Sequence, residues 1–302
     1  MYNTNLRKQI WKYKSYYLFL LPAVVYVAIF SYGPMYGLQI AFKNYRGSLG
    51  IMGSPWVGFR HFIDFYSGFF FWRLIRNTLA ISIYSLIAGF PIPIILALML
   101  NEIKEKHRKP IQTIFYAPHF VSLVVVVGII NTMFSPSIGI VNTVLAALGL
   151  ERVYFVALSG VFRHLFVWSG VWQHMGWNAV IYLAALAGVD PELHEAAKID
   201  GASLMQRIKH INLPAIQPTV IILLILSIGG LASVGFEKVY LMQNDLNIDT
   251  SEVISTYVYK RGLINMNYSF SAAVGLFNNV VNAILLVIAN GISRKFSETS
   301  LF

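Results

Sequence analysis

The segment EAAKIDGASLMQRIKHINLP, Glu195–Pro214, is a polar, helix-prone stretch in a chain that is otherwise mostly apolar. Its meaning depends on what surrounds it. Of 302 residues, 57% are hydrophobic and 12% charged. The mean hydropathy is +0.62, beyond the range of an ordinary soluble domain. Six intervals, Lys14–Lys43, Arg76–Glu102, Lys109–Glu151, Arg163–Asp190, Lys209–Glu237 and Arg261–Arg294, each enclose 25 or more residues without Asp, Glu, Lys or Arg. About 20 apolar residues, rising about 1.5 Å each, cross a hydrocarbon core of roughly 30 Å, so each interval holds one span. The expectation is an all-α integral membrane protein of one domain, with six transmembrane helices near residues 17–40, 78–99, 111–133, 166–189, 218–234 and 270–292. The third interval is the longest, but Ser135, Pro136, Ser137 and Gly139 interrupt it. Asn142–Leu150 is too short to cross and reads as an outer interfacial helix.

Orientation follows from the basic residues. With both termini cytoplasmic, 13 of the 23 Lys and Arg residues fall in the shorter inner segments, as the positive-inside rule expects. Arg7, Lys8, Lys12 and Lys14 precede the first apolar run as they would in a signal peptide. That run is too long and lacks a small-x-small cleavage site, so it reads as a retained anchor. The net charge of +10 is accounted for by basic residues facing anionic lipid, and nothing suggests nucleic acid. The chain has no cysteine, which excludes disulfides, thiolate metal sites and cysteine nucleophiles. Its seven histidines include no HExxH pair, and no GxxxxGK[ST] phosphate loop is present.

The opening segment therefore lies in the inner loop 190–217, between the fourth and fifth spans. Pro191 suits a helix start, Ala196 and Ala197 are strong helix formers, and Gly201 permits a sharp turn. Leu204, Ile208 and Ile211 share a face, and Pro214 is expected to stop the second helix. The loop reads as two short helices bent at Gly201. Composition alone favours such helices lying on lipid head groups.

Glu195, Ala196, Ala197, Gly201, Ile211, Leu213 and Pro214 match the pattern EAA-x3-G-x9-I-x-L-P, which resembles the EAA loop of the membrane subunits of bacterial ABC importers. Further stretches are similar to the sugar-importer branch: WVGFRHF, FWRLIRNTL, FYAPHFVSLVVVVGIINTMFSPSIGIVN and WNAVIYLAALAGVDPELHEAAKIDGAS. GFEKVYLMQN, TSEVISTYVYKRGL and ISRKFSETSLF look most like permeases for oligosaccharides and polysaccharide fragments. The similarity runs from about Tyr16 to the C-terminus. In contrast to maltose-type subunits, neither a large extra outer domain nor an additional N-terminal helix pair is expected from this sequence.

The resemblance implies a MetI-like permease fold and a coupling helix seated in the cleft of a cytoplasmic ATPase. Glu195, Ala196, Ala197, Asp200, Gly201, Leu204 and Met205 would make that contact. It implies as partners a second homologous permease subunit, two ATPase subunits carrying ATP and Mg, an extracytoplasmic solute-binding protein and a sugar. This chain itself would hold no cofactor and no metal.

Polar groups at membrane depth are costly unless they face a cavity or another helix. The fourth span carries Gln173, Trp177 and Asn178, with Gln173 and Trp177 at i, i+4; the sixth carries Asn278, Asn279 and Asn282. Aromatic faces beside amides suit sugars, so these residues are the candidate substrate path. The competing readings are an interfacial aromatic belt for the tryptophans and interhelical contacts for the asparagines. His174 reads as a helix-packing histidine. Two other functions are weighed: a membrane-embedded enzyme acting on lipid-linked sugars, and a proton-coupled sugar carrier. The first lacks a close pair of outer carboxylates, and the second lacks any Asp or Glu within the spans.

Overall fold

The computed structural model describes residues 11–296 and 300–301; Arg7, Lys8 and part of the C-terminal tail lie outside them. The described residues form helices and connecting turns with no strand, and Lys43 and Trp56 make one isolated antiparallel bridge. The principal helices are α1 (Lys14–Phe42), α2 (Phe71–Glu102), α3 (Glu105–Phe120), α4 (Leu123–Met133), α5 (Ser159–Ala187), α6 (Pro191–Ile199), α7 (Leu204–Gly229), α8 (Phe236–Met242) and α9 (Tyr268–Phe296).

Among the described residues, α1, α2, α7 and α9 are long and apolar enough to cross a membrane, and the bent pair α3–α4 raises the number to five if it forms one span. Helix α5 has the length, 29 residues. Its Trp168, Trp172, Gln173, His174, Trp177 and Asn178 lower its mean hydropathy, so it falls outside that set.

Helix α5 is nevertheless the axis of the bundle. One half packs with α2, α4 and α8 through Phe162, Phe166, Ile81, Val126 and Val239; the other packs with α2 and α7 through Ala179, Tyr182, Leu186, Leu100 and Ile216. Lipid tails are as apolar as leucine, so close van der Waals fit and hydrogen bonds hold such helices together. Gly176 illustrates the fit: the carbonyl of Phe115 in α3 sits where a Cβ at residue 176 would be. On the far side, α9 packs on α7 and on the 3₁₀ end of α1, Tyr36–Phe42. The first part of α1, Lys14–Val27, has no buried residue.

Two expectations about helix limits need correction. The segment 111–133 is not one straight helix, because α3 and α4 meet at 94°. Pro118 closes a 3₁₀ turn, Val121 is extended, and Ser122 restarts the helix by accepting from the Val125 amide at 3.4 Å. Pro214 does not end a helix either. Helix α7 runs unbroken from Leu204 through Pro214 and Pro218 to Gly229. A π-helical turn, Ile208–Asn212, immediately precedes Leu213 and Pro214; it widens the backbone where the proline ring would otherwise meet the preceding turn. The second half of the 190–217 segment is thus the root of α7.

Candidate functional site: a turned loop and a membrane cavity

Local chemistry builds the loop. Asp190 caps α6, its Oδ1 accepting from the Glu192 amide at 2.9 Å, and Pro191 takes the first helical position. At the other end Ala202 N–H donates to the Ala197 carbonyl at 2.8 Å and Gly201 N–H to that of Lys198 at 3.1 Å. With Gly201 at φ +77°, this is a Schellman turn, which needs a residue free to adopt the left-handed region. Ser203 and Gln206 then form a capping box that starts α7.

The turn leaves Glu195, Ala196, Asp200, Gly201, Leu204 and Met205 exposed, with Ala197 half-buried. Leu193, Ile199, Leu204 and Met205 are large apolar side chains bared on a polar element, and Ile199 is 86% exposed.

The second feature is a cavity of about 770 Å³ bounded by α2, α5, the end of α7, the turn 230–235 and the start of α8. Ser82, Ser85, His174, Asn178, Ser227, Ser233, Glu237 and Lys238 supply its polar wall, and Phe90, Phe166 and Phe236 its aromatic surface.

The sequence-derived path residues divide over this geometry. Asn178 lines the cavity. Gln173 does not: it is 3% exposed and donates through Nε2 to the Val121 carbonyl at 3.0 Å. That carbonyl is one the α3–α4 break frees from helical bonding, so Gln173 secures the break. Trp177, one turn on, lies flat on His119, with ring centroids 4.6 Å apart and planes at 1°, and meets Phe120 edge-on. Gln173 and Trp177 thus share the face that meets the α3–α4 corner at residues 119–121, but the corner buries Gln173 and leaves Trp177 47% exposed.

Asn278 and Asn282 act behind the wall. Asn282 Nδ2 donates to Ser233 Oγ at 2.7 Å and its Oδ1 accepts from the Ala232 amide at 2.9 Å; Asn278 Nδ2 reaches Ser233 Oγ at 3.3 Å. They hold the turn that carries Ser233 into the cavity. Asn279 is exposed.

Sequence reasoning missed Ser82, Ser85, Ser233 and Lys238. The serines sit singly in apolar runs, where a hydroxyl is easily satisfied by its own helix. Lys238 carried a usable signal, since it stands just beyond the fifth charge-free interval.

Helices long and apolar enough to cross a membrane, with a turned polar loop and a cavity between them among the described residues, have the architecture of a transport subunit. Residues 66–298 match the family described as binding-protein-dependent transport system inner membrane component, and the chain belongs to it. It is an inner-membrane ABC transport permease subunit with a MetI-like fold, and not an enzyme. It is 46% identical to protein LplB of Bacillus subtilis over 96% of this chain and 91% of the relative. It is 42% identical to the polygalacturonan/rhamnogalacturonan transport system permease protein YteP of the same organism, over 96% and 90%. In structure it is similar to a chain of a bacterial alginate ABC transporter in complex with an alginate pentasaccharide-bound periplasmic protein: TM-score 0.89, 42% identity, 98% of this chain and 99% of that one.

Proposed function

We propose that this chain is one of two homologous permease subunits of an ATP-driven importer that passes an oligosaccharide or polysaccharide fragment into the cytoplasm by alternating access. The observation that carries the reading is the loop. Gly201 turns it, the Asp190 and Ser203 caps stiffen it, and Glu195, Leu204 and Met205 stand free for a partner. Small residues admit a helix to a groove, and a carboxylate can set its register against a basic residue there. Of two ATPase subunits carrying ATP and Mg, one would dock at this loop through Glu195, Ala196, Ala197, Asp200, Gly201, Leu204 and Met205, and the other at the second permease.

In this reading the chain spans the membrane six times, with α3–α4 and the polar-faced α5 completing the set and both termini cytoplasmic. An extracytoplasmic solute-binding protein delivers the sugar. The bare apolar length of α1 contacts lipid or the second permease. The relatives named for polygalacturonan/rhamnogalacturonan and for alginate support a polysaccharide fragment as cargo. The path runs through the 770 Å³ cavity past Asn178, with Asn278 and Asn282 steadying its wall. Trp177 and Asn279 face the space a second subunit would occupy.

Reconstitution of the permeases with binding protein in liposomes tests the reading. Uptake should require the ATPase subunits and ATP; uptake without them, driven by a proton gradient, would replace it with the carrier reading.

A further inference from the structure

The cavity wall contains one lysine, Lys238, and no arginine. Lys238 is 7% exposed, yet among the described residues no carboxylate pairs with it. Its Nζ donates to the Phe166 carbonyl at 2.8 Å and lies 4.8 Å from the centre of the Phe166 ring. An ammonium has three donors and no acceptor, so one bond to protein leaves the amine incompletely satisfied. Gly170 adjoins it, where a Cβ would come within 3.1 Å of Nζ, and the absence of a side chain there keeps the approach open.

Buried cations are ordinarily paired, because desolvation is expensive and a carbonyl and a ring face offset it only in part. Burial pushes the Lys238 amine down to about 8, which leaves it mostly protonated at neutral pH. The other titratable groups on the wall are Glu237 and His174. Glu237 is exposed and makes no ion pair with Lys238 among the described residues.

The structure assigns to Lys238 the recognition of a carboxylate on the passing saccharide: the cavity is built for acidic sugars, with Lys238 as the charge that reads them and Ser82, Ser85, Ser233 and Asn178 as partners for hydroxyls. This inference rests on the importer reading above. A carboxylate arriving at Lys238 supplies the missing acceptor and counter-charge, and a charge-assisted bond is about twice as strong as a neutral one. A neutral sugar could only share the amine through a hydroxyl.

The test uses the complete transporter in liposomes, with short oligouronides and their carboxyl-reduced counterparts as probes. Wild-type transporter should take up the oligouronides in preference, a comparison that needs no variant. Lys238→Gln keeps a donor for the Phe166 carbonyl and should raise the KM for oligouronides about tenfold while the rate at saturation persists. Lys238→Arg should restore much of the difference. An unchanged KM in Lys238→Gln, or equal wild-type uptake of acidic and reduced probes, overturns the assignment. Absence of ATP-dependent uptake of both probes by the wild type instead rejects the importer reading on which the assignment stands.

Discussion

Arg207 and Glu102 join the root of the 190–217 loop to the end of α2. Arg207 Nη2 stands 3.6 Å from Glu102 Oε2, and Asn212 Nδ2 donates to Glu102 Oε1 at 3.2 Å. Asn212 is fully buried in the π-helical turn, and the two charged side chains are 16% and 23% exposed. A force on the exposed loop therefore reaches α2, a wall of the cavity, through a polar contact as well as through the α7 backbone. Arg207→Met should uncouple the two, lowering sugar uptake per ATP hydrolysed while hydrolysis continues. It should also lower thermal stability, by about 1–3 kcal/mol for a partly buried group left without its partner. Parallel uptake and hydrolysis assays on one preparation check this, and an unchanged ratio would count against the link.

Glu195→Ala removes one of the exposed charges of α6, beside Glu192 and Lys198, without touching the bundle. The ATPase subunits should co-purify less and uptake should fall about fivefold or more, with the melting temperature of the permease unchanged. Gly201→Val should give the same uptake phenotype by another route. A β-branched side chain at φ +77° costs about 1–2 kcal/mol and opposes the Schellman turn. Normal uptake per complex in both variants would remove the coupling assignment.

Gln173→Leu leaves the Val121 carbonyl at the α3–α4 corner without its donor. Stability in detergent should drop by about 1–3 kcal/mol, read as a lower melting temperature. Gly176→Val should be worse, since its side chain meets backbone of α3 and not a movable side chain. If Gln173→Leu instead altered only the KM for sugar, with the melting temperature kept, Gln173 would be a substrate contact after all.

Asn282→Leu removes its two bonds to the 230–235 turn and leaves only the longer Asn278 bond from α9, so uptake and stability should decline together. Trp177→Ala has a different expectation: its ring stacks on His119 at an open face, so subunit assembly or transport should suffer while the isolated chain melts normally. Native-size analysis of the purified complex, beside uptake, separates the two variants.

The Lys238 amine yields a pH prediction with a definite sign. Its folded value of about 8 lies below the ordinary 10.5, so between those values the unfolded chain binds more protons than the folded one. The wild type should therefore gain stability relative to Lys238→Met as pH rises through that window, and show no differential change below it. Oligouronide affinity should move the other way, falling above pH 8 as the amine loses its charge. Glu237 and His174 face the same cavity, so Glu237→Gln is the control for the first and His174→Gln for the second.

What the chain order alone determined here is whatever short-range chemistry decides. Charge-free apolar runs marked where long helices form. Gly201, Pro191 and the EAA spacing marked a turned loop, because a glycine turn and a proline helix start are written within a few residues of each other. The tertiary structure decided where distant residues meet. The corner at Val121 is completed by Gln173, 52 positions on, and the Lys238 amine is held by Phe166, 72 positions back. Pro214 looked like a helix stop because a proline ring clashes with a regular preceding turn, and only the π-helical geometry of Ile208–Asn212, with Asn212 bound to Glu102 110 positions away, lets the helix pass. Helical periodicity placed Gln173 and Trp177 on one face. Packing kept that face against residues 119–121 but buried Gln173 and left Trp177 half open, since how far a side chain is covered depends on the elements that come to lie against it.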